Sequence, residues 1–264
     1  MARSLFQRGP ELKSMREIGL MREAGKLVAQ ALNICKEMTK VGVKTIEIDQ
    51  AVEALYKKHG AIPLFKGYPG PKSPFPAVTC ISLNEQVVHG IPGQRVIEDG
   101  DIVKIDTACK LNGWCADSAI SIPVGNVSED KLSLIGVGEK VLQIAIEEMG
   151  RCKWWSEVAT KMQDCAEGAG YSVVKQYVGH GIGRVMHENP QVPNFVSRDL
   201  RRQDFRLEVG LVLAVEPMVN MRKAETKVLP DHWTVVTRDG YPSVHVEHTL
   251  AITKDGVQIL TARD

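Results

Sequence analysis

From residue 12 to about 40, apolar side chains recur at Met15, Ile18, Met21, Leu27, Val28 and Leu32. That is the spacing of one helix face, so the pattern predicts a helix despite Gly19 and Gly25. A second helix is signalled from Thr45 as N-cap, through Ile48, Val52, Leu55 and Tyr56, to Gly60 as its C-cap. The pattern then breaks: residues 61–76 hold five prolines and two glycines, which excludes a central strand and predicts a loop long enough to be functional. AVTCISL at 77–83 reads as a strand, and NEQVVHGIPG after it leaves His89 near a loop.

Between Asp101 and Val124, two apolar runs flank Asn112-Gly113, the dipeptide that most favours a two-residue type I′ turn. Closing a hairpin there sets Leu111 opposite Trp114, Asp106 opposite Ala119 and Ala108 opposite Asp117. Opposed residues share a face, so Asp106 and Asp117 become diagonal neighbours on one side of the sheet, while Cys109 and Cys115 fall on opposite sides. Two carboxylates that close must share a proton or hold a cation. The apolar neighbours Ile102, Val103, Ile105, Ile120 and Ile122 bury the strands, where an unpaired carboxylate is costly.

The second half repeats the order of the first. Ser128 opens a helix to about Gly150 with Leu132, Ile135, Leu142 and Ile146 inward, and Ser156 opens another that ends at 168–170. Strand patterns follow at 171–178, 211–219, 233–237, 244–253 and 257–260, with turns at Asp239-Gly240 and Asp255-Gly256. Helix, helix, strands in both halves hints at a duplication. No linker or low-complexity stretch divides the chain, so one α+β domain is expected over 12–264, a mixed or antiparallel sheet covered by helices, after a short extension at 1–11.

Composition narrows the function. Thirty-three basic and thirty-two acidic residues give a net charge of +1, which provides no footprint for a nucleic-acid or membrane partner. The first fourteen residues lack the apolar core of a signal peptide, and six cysteines without a CxxC pair fit reduced thiols, so a cytoplasmic protein is expected.

Further candidates for chemistry stand on or beside strands: His180 and His187 in VGHGIGRVMHENP, Glu216 in LAVEPM and Glu247 in VHVEHT. Each alone is more often a structural residue. With the two aspartates they make two Asp, two Glu and at least one His among apolar strands, too many ligands for a four-coordinate structural zinc. Carboxylate-rich ligation with one imidazole suits Mn, Fe or Co ions, with Zn also compatible, and four carboxylates match the charge of two divalent ions. HExxH, Walker A, GxSxG and a strand followed by GxGxxG are all missing from the sequence.

IDTACKLNGWCAD, GHGIGRVMHENP, VEPM and VEHT, taken with NEQVVHGIP, resemble the type I methionine aminopeptidases in order and spacing from about Leu12 onward. The resemblance implies a pseudo-two-fold "pita-bread" α+β fold and removal of the initiator methionine through attack of a metal-bridging water on the Met carbonyl. It implies two divalent ions (Co, Mn, Fe or Zn) held by Asp106, Asp117, His180, Glu216 and Glu247, with Glu216 also taking the water proton. His89 is similar to the histidine beside the scissile nitrogen and His187 to the one that meets the carbonyl oxygen. Phe75, preferred to Tyr68 because FPAVTCIS keeps the spacing to Cys80, would line the pocket for the Met side chain with Cys80, Met186, Trp233 and His245. Nascent polypeptide N-termini, met at the ribosome by a monomer, are the implied partners. The chain departs from the commonest family pattern at CADS (Cys115 to Ser118, usually HGDT), Met186 (usually Phe), His245 (often Gln) and Ala214 (usually Thr), none of them a ligand. Proline-specific peptidases of the same fold carry a large N-terminal domain for which roughly 100 residues before Asp106 leave no room. Metal-free binding proteins of this fold typically lose ligands, and all five are present here.

Overall fold

The computed structural model describes residues 9–263; residues 1–8 of the expected N-terminal extension, and Asp264, lie outside them. The first half runs α1 (Met15–Met38), α2 (Thr45–Lys58), β1 (Ile62–Pro63), β2 (Thr79–Leu83), β3 (Gln86–Val88), β4 (Ile102–Leu111) and β5 (Trp114–Pro123). The second runs α3 (Glu129–Glu148), α4 (Trp155–Gly168), β6 (Ser172–Val173), β7 (Gly179–Gly181), β8 (Glu188–Val192), α5 (Arg198–Arg202), β9 (Val212–Val215) and β10 (Met218–Asn220). It ends with β11 (Thr226–Val228), β12 (Val235–Thr237), β13 (Ser243–His245), β14 (His248–Thr253) and β15 (Gly256–Ile259). Each half thus opens with a helix pair, as the patterning implied. Among the described residues no helix is long and apolar enough to cross a membrane.

Ser14 and Glu17 close a capping box that fixes where α1 starts, so Met15 lies at the exposed end while Ile18, Met21, Leu27, Val28 and Leu32 are buried. Thr45 is the first helical residue of α2 rather than its cap, because its hydroxyl bonds Gly93 instead, and the helix ends at His59 just before Gly60 at φ 65°. In α3 the buried face is Leu134, Ile135, Val141, Leu142 and Ala145; Leu132, expected inward, is exposed one turn from the N-terminus, and Ile146 is only half-buried.

The central hairpin keeps the expected register through all ten pairs, with Asn112 at φ 51° and Gly113 at φ 84° in its turn. Every strand pairing is antiparallel. Around the hairpin β1, β4, β2 and β5 form one sheet, and β15-β14-β9-β7-β8 form the largest sheet of the second half. One core packs α1 and α2 on the first of these, and another packs α3 and α4 on the second-half strands.

Three strand expectations need correction. The run 171–178 is a strand only at Ser172–Val173. The runs 211–219 and 244–253 each split in two, at Glu216-Pro217 and at Val246-Glu247. Pro217 has no N–H to continue a ladder, and at Glu247 the chain turns its backbone to β5: Glu247 N–H donates to Ala119 O at 3.0 Å. Hydroxyl groups complete this seam between the halves. Ser121 Oγ donates to His245 O (2.7 Å), Thr249 Oγ1 donates to Asp117 O (2.8 Å) and Asp117 N–H donates to Thr249 Oγ1 (3.0 Å).

Candidate metal centre and substrate cavity

The seam is where the charged candidates meet. Asp106 on β4 and Asp117 on β5 share a face, as the turn dictates, and their carboxyls are close enough to share one proton. Glu216 and Glu247 come from the two strand breaks. A break frees a side chain from the alternation of a strand, so both carboxylates can turn to the seam. His180 arrives on β7 between Gly179 and Gly181, where a Cβ would meet Ala214 O at 2.3 Å and Asn189 O at 2.2 Å. Those glycines let the backbone sink deep enough to bring the imidazole inward.

One ligand atom each from Asp117, His180 and Glu247 lies within 4.8 Å of the others. His180 Nε2 is 3.7 Å from Glu216 Oε1 and 3.9 Å from Asp117 Oδ2. His180 Nδ1 lies 2.9 Å from Gly181 O, which can only accept, so Nδ1 carries the hydrogen and Nε2 turns a lone pair to the carboxylates. Asp106 Oδ1, Asp117 Oδ1 and Glu247 Oε1 are buried without a hydrogen-bond partner. On protein atoms alone such a site is costly. Burial first, then the neighbouring carboxylates, drives Asp106 and Glu247 far above the ordinary carboxylate range, and burial with Asp117 does the same to Glu216. Burial lifts Asp117 as well, to about 7, against the opposing bond from Asp106. His180 is pushed down to about 4 by burial and by His187. Orphaned anionic oxygens around a neutral imidazole lone pair fit a divalent cation, whose charge removes the strain these shifts express.

The description "Metallopeptidase family M24" matches residues 19–254. The chain is 47% identical over 249 residues to methionine aminopeptidase 1 of Bacillus subtilis, covering 94% of this chain and 98% of that one. It is 46% identical to the methionine aminopeptidase of Clostridium perfringens, over 95% and 98% of the two chains. This chain belongs to metallopeptidase family M24, among the methionine aminopeptidases. Its use of divalent metal follows from that membership. The crystal structure of the Thermotoga maritima methionine aminopeptidase superimposes with a TM-score of 0.90 at 36% identity, covering 97% of this chain and all of that one. The prolidase of Pyrococcus horikoshii shares the fold alone, at 23% identity and a TM-score of 0.76, and only 64% of its length is matched. The pita-bread fold implied by the motifs is the fold adopted.

In this chain the carboxylates form the floor of a cavity of about 990 Å³. Cys80 is paired with Asp106 across β2 and β4, so it stands on the same face beside the floor. Phe75, Met186 and Trp233 join it in the wall, with Phe75 and Trp233 edge to face at 5.1 Å. His245 is placed differently: it is buried behind Glu216, Nε2 to Oε2 3.7 Å, and does not line the cavity. The break at Val246 accounts for this, since it ends the alternation that would set His245 and Glu247 side by side. His89 takes φ 59° and packs edge-on to Tyr177 at 5.6 Å, with burial holding its pKa near 4. His187 sits over His180, ring centroids 4.4 Å apart, and burial lowers its pKa too.

Sequence reasoning set Tyr68 aside in favour of Phe75 and missed Phe65 and Tyr177. Tyr68 Oη lies 2.9 Å from His187 Nδ1, and Phe65 and Tyr177 join the wall. Tyr177 lay inside a run read as strand. Tyr68 sits in the Pro-rich loop, where periodicity gives no facing signal. Gly9 and Glu11 reach the cavity from the N-terminal segment, anchored by Lys13 Nζ, which is 2.6 Å from Glu188 Oε2.

Proposed function

We propose that this chain removes the N-terminal methionine from peptides and nascent proteins, using two divalent ions held by Asp106, Asp117, His180, Glu216 and Glu247. The observation that carries the reading is the floor itself: buried carboxylate oxygens without a partner on Asp106, Asp117 and Glu247, with Asp117 and Glu247 grouped within 4.8 Å of His180, in the lining of one cavity. Four carboxylates supply the charge for two divalent ions, and the donor set accepts Mn, Fe, Co or Zn. Such ions supply Lewis acidity and lower the pKa of water when bound.

The chain's own residues do the rest. Phe75, Cys80, Met186 and Trp233 hold an unbranched thioether, and the anionic floor favours a free α-amine over an internal peptide bond. Glu216, next to His245, is placed to receive a proton from the attacking water and return it to the leaving amine. His187 Nδ1 shares a hydrogen bond with the Tyr68 hydroxyl; with the tyrosine as donor, His187 Nε2–H donates to the carbonyl oxygen as charge develops on it. His89 stands on the leaving-nitrogen side. Six free cysteines, four of them buried, fit action in the reducing cytoplasm, and the reading has the protein acting as a monomer on chain ends at the ribosome.

The test is release of Met from Met-Ala-Ser against an Xaa-Pro peptide, with metal counted on the freshly purified protein and on Asp106→Asn. We expect Met release from the first peptide alone, and loss of both metal and activity in the variant. Full activity with unchanged metal in Asp106→Asn would sink the ligand set; cleavage of the Xaa-Pro peptide alone would sink the substrate.

A further inference from the structure

The two residues that follow Asp117 and Glu247 in sequence, Ser118 and His248, meet the same side chain behind the metal floor. Arg263 Nη1 donates to Ser118 Oγ at 2.7 Å, and Arg263 Nη2 lies 3.3 Å from His248 Nε2. Ser118 Oγ accepts that bond and passes its own hydrogen to Glu247 O, 2.6 Å away. A guanidinium only donates, so His248 Nε2 is an acceptor and Nδ1 carries the hydrogen, directed to Thr261 Oγ1 at 2.9 Å. Thr261 Oγ1 also accepts from Thr249 N–H at 3.1 Å, and Leu260 N–H donates to Thr249 O at 2.9 Å. The last residues of the chain therefore grip the start of β14, and Arg263 reaches from there across to β5. Among the described residues no other side chain bonds both of the residues that directly follow the two ligands.

We infer that Arg263 is a positioning residue: it ties β5, which carries Asp117, to the start of β14 directly after Glu247 and sets the spacing at which those carboxylates receive a divalent cation. The inference rests on the ligand reading above. β5 and β14 belong to different sheets, and their seam is held by side-chain hydroxyls and few ladder bonds. A fork with two donors in fixed geometry suits that seam because it can hold two acceptors at one separation. Ser118 is part of the device. The CADS sequence places a hydroxyl after the ligand, and that hydroxyl relays the guanidinium to the carbonyl of the other ligand.

The sign of one measurement separates positioning from charge. A cation behind the floor repels a metal ion, so if Arg263 acted by charge alone its removal would tighten metal binding. Loss of positioning weakens it, and outer partners of metal ligands typically carry about 10–100-fold in affinity. The protein is stripped with a chelator and titrated with Mn²⁺ by calorimetry, as are Arg263→Ala, Arg263→Lys, Ser118→Ala and Glu247→Gln, with the melting temperature of each stripped protein recorded. We expect about tenfold or weaker Mn²⁺ binding in Arg263→Ala, partial recovery in Arg263→Lys, and the same direction of change in Ser118→Ala, which carries the test if Arg263→Ala does not fold. Activity at saturating Mn²⁺ should fall in kcat with KM for Met-Ala-Ser unchanged. Unchanged or tighter Mn²⁺ binding in both Arg263→Ala and Ser118→Ala, beside weakened binding in Glu247→Gln, overturns the inference. Binding unchanged in Glu247→Gln overturns the ligand reading instead.

Discussion

His187 is the residue whose role depends most on a neighbour. Its Nδ1 meets the Tyr68 hydroxyl at 2.9 Å, and the rings stand edge to face at 5.5 Å, so the orientation of the imidazole is fixed, and its tautomer follows from which of the two groups donates. We expect His187→Ala to lower kcat by about 10²–10³-fold, the usual cost of one oxyanion donor, with metal content retained as measured by elemental analysis. Tyr68→Phe keeps the ring and removes one hydrogen bond, worth about 1 kcal/mol, so a loss of roughly tenfold or less in kcat is expected; an unchanged kcat would remove Tyr68 from the tautomer argument. His187 was legible because it stands in GHGIGRVMHENP beside His180. Tyr68 was not, since a loop residue's partner is set by how the loop folds over the site.

At the scale of elements, the hairpin and the strand breaks behave differently. Asn112-Gly113 fixes a two-residue turn, and with it ten pairs of register and the shared face of Asp106 and Asp117, because each residue of a tight turn leaves the strands one choice of alignment. The runs 211–219 and 244–253 are rich in apolar and β-favouring residues, and Pro217 marks a local stop in the first while nothing in the second does. Only contact with β5 explains why the second run opens at Glu247. The helix α1 shows a third case, in which Gly25 is required by a distant element: a Cβ there would lie 2.1 Å from Leu260 O. Gly25→Ala should therefore destabilise the protein by about 2 kcal/mol by overpacking, read as a melting temperature several degrees lower. Its displacement of the C-terminal residues should also weaken Mn²⁺ binding, whereas Gly19→Ala, with nothing within 4 Å, should do neither.

Over the whole molecule, metal and protons compete for the same carboxyls, which come from both halves. In the metal-free protein Asp106, Glu216 and Glu247 have pKa values raised well above the carboxylate range and Asp117 is raised to about 7. A carboxyl with a raised folded pKa binds more protons folded than unfolded, so its contribution to stability is present at low pH and is lost as pH rises from about 4 through the folded value. Five histidines shifted down by burial act in the opposite direction, but only His180 among them belongs to the proposed ligand set. The difference in melting temperature between metal-loaded and chelator-stripped protein should therefore grow from about pH 5 to pH 7.5, as protons leave the carboxyls to the metal. A difference that shrinks with rising pH would contradict the competition. The sequence by itself determined the two helix-led halves, the central hairpin with its register and the set of five candidate ligands, because periodicity, a turn dipeptide and motif spacing are local properties of the chain. Only the tertiary structure decided that Glu247 leaves its strand, that His245 stands behind the floor, that Tyr68 holds His187 and that Arg263 reaches both β5 and β14. Each of these depends on what one half of the molecule presents to the other across the seam, and no window of sequence contains both sides of it.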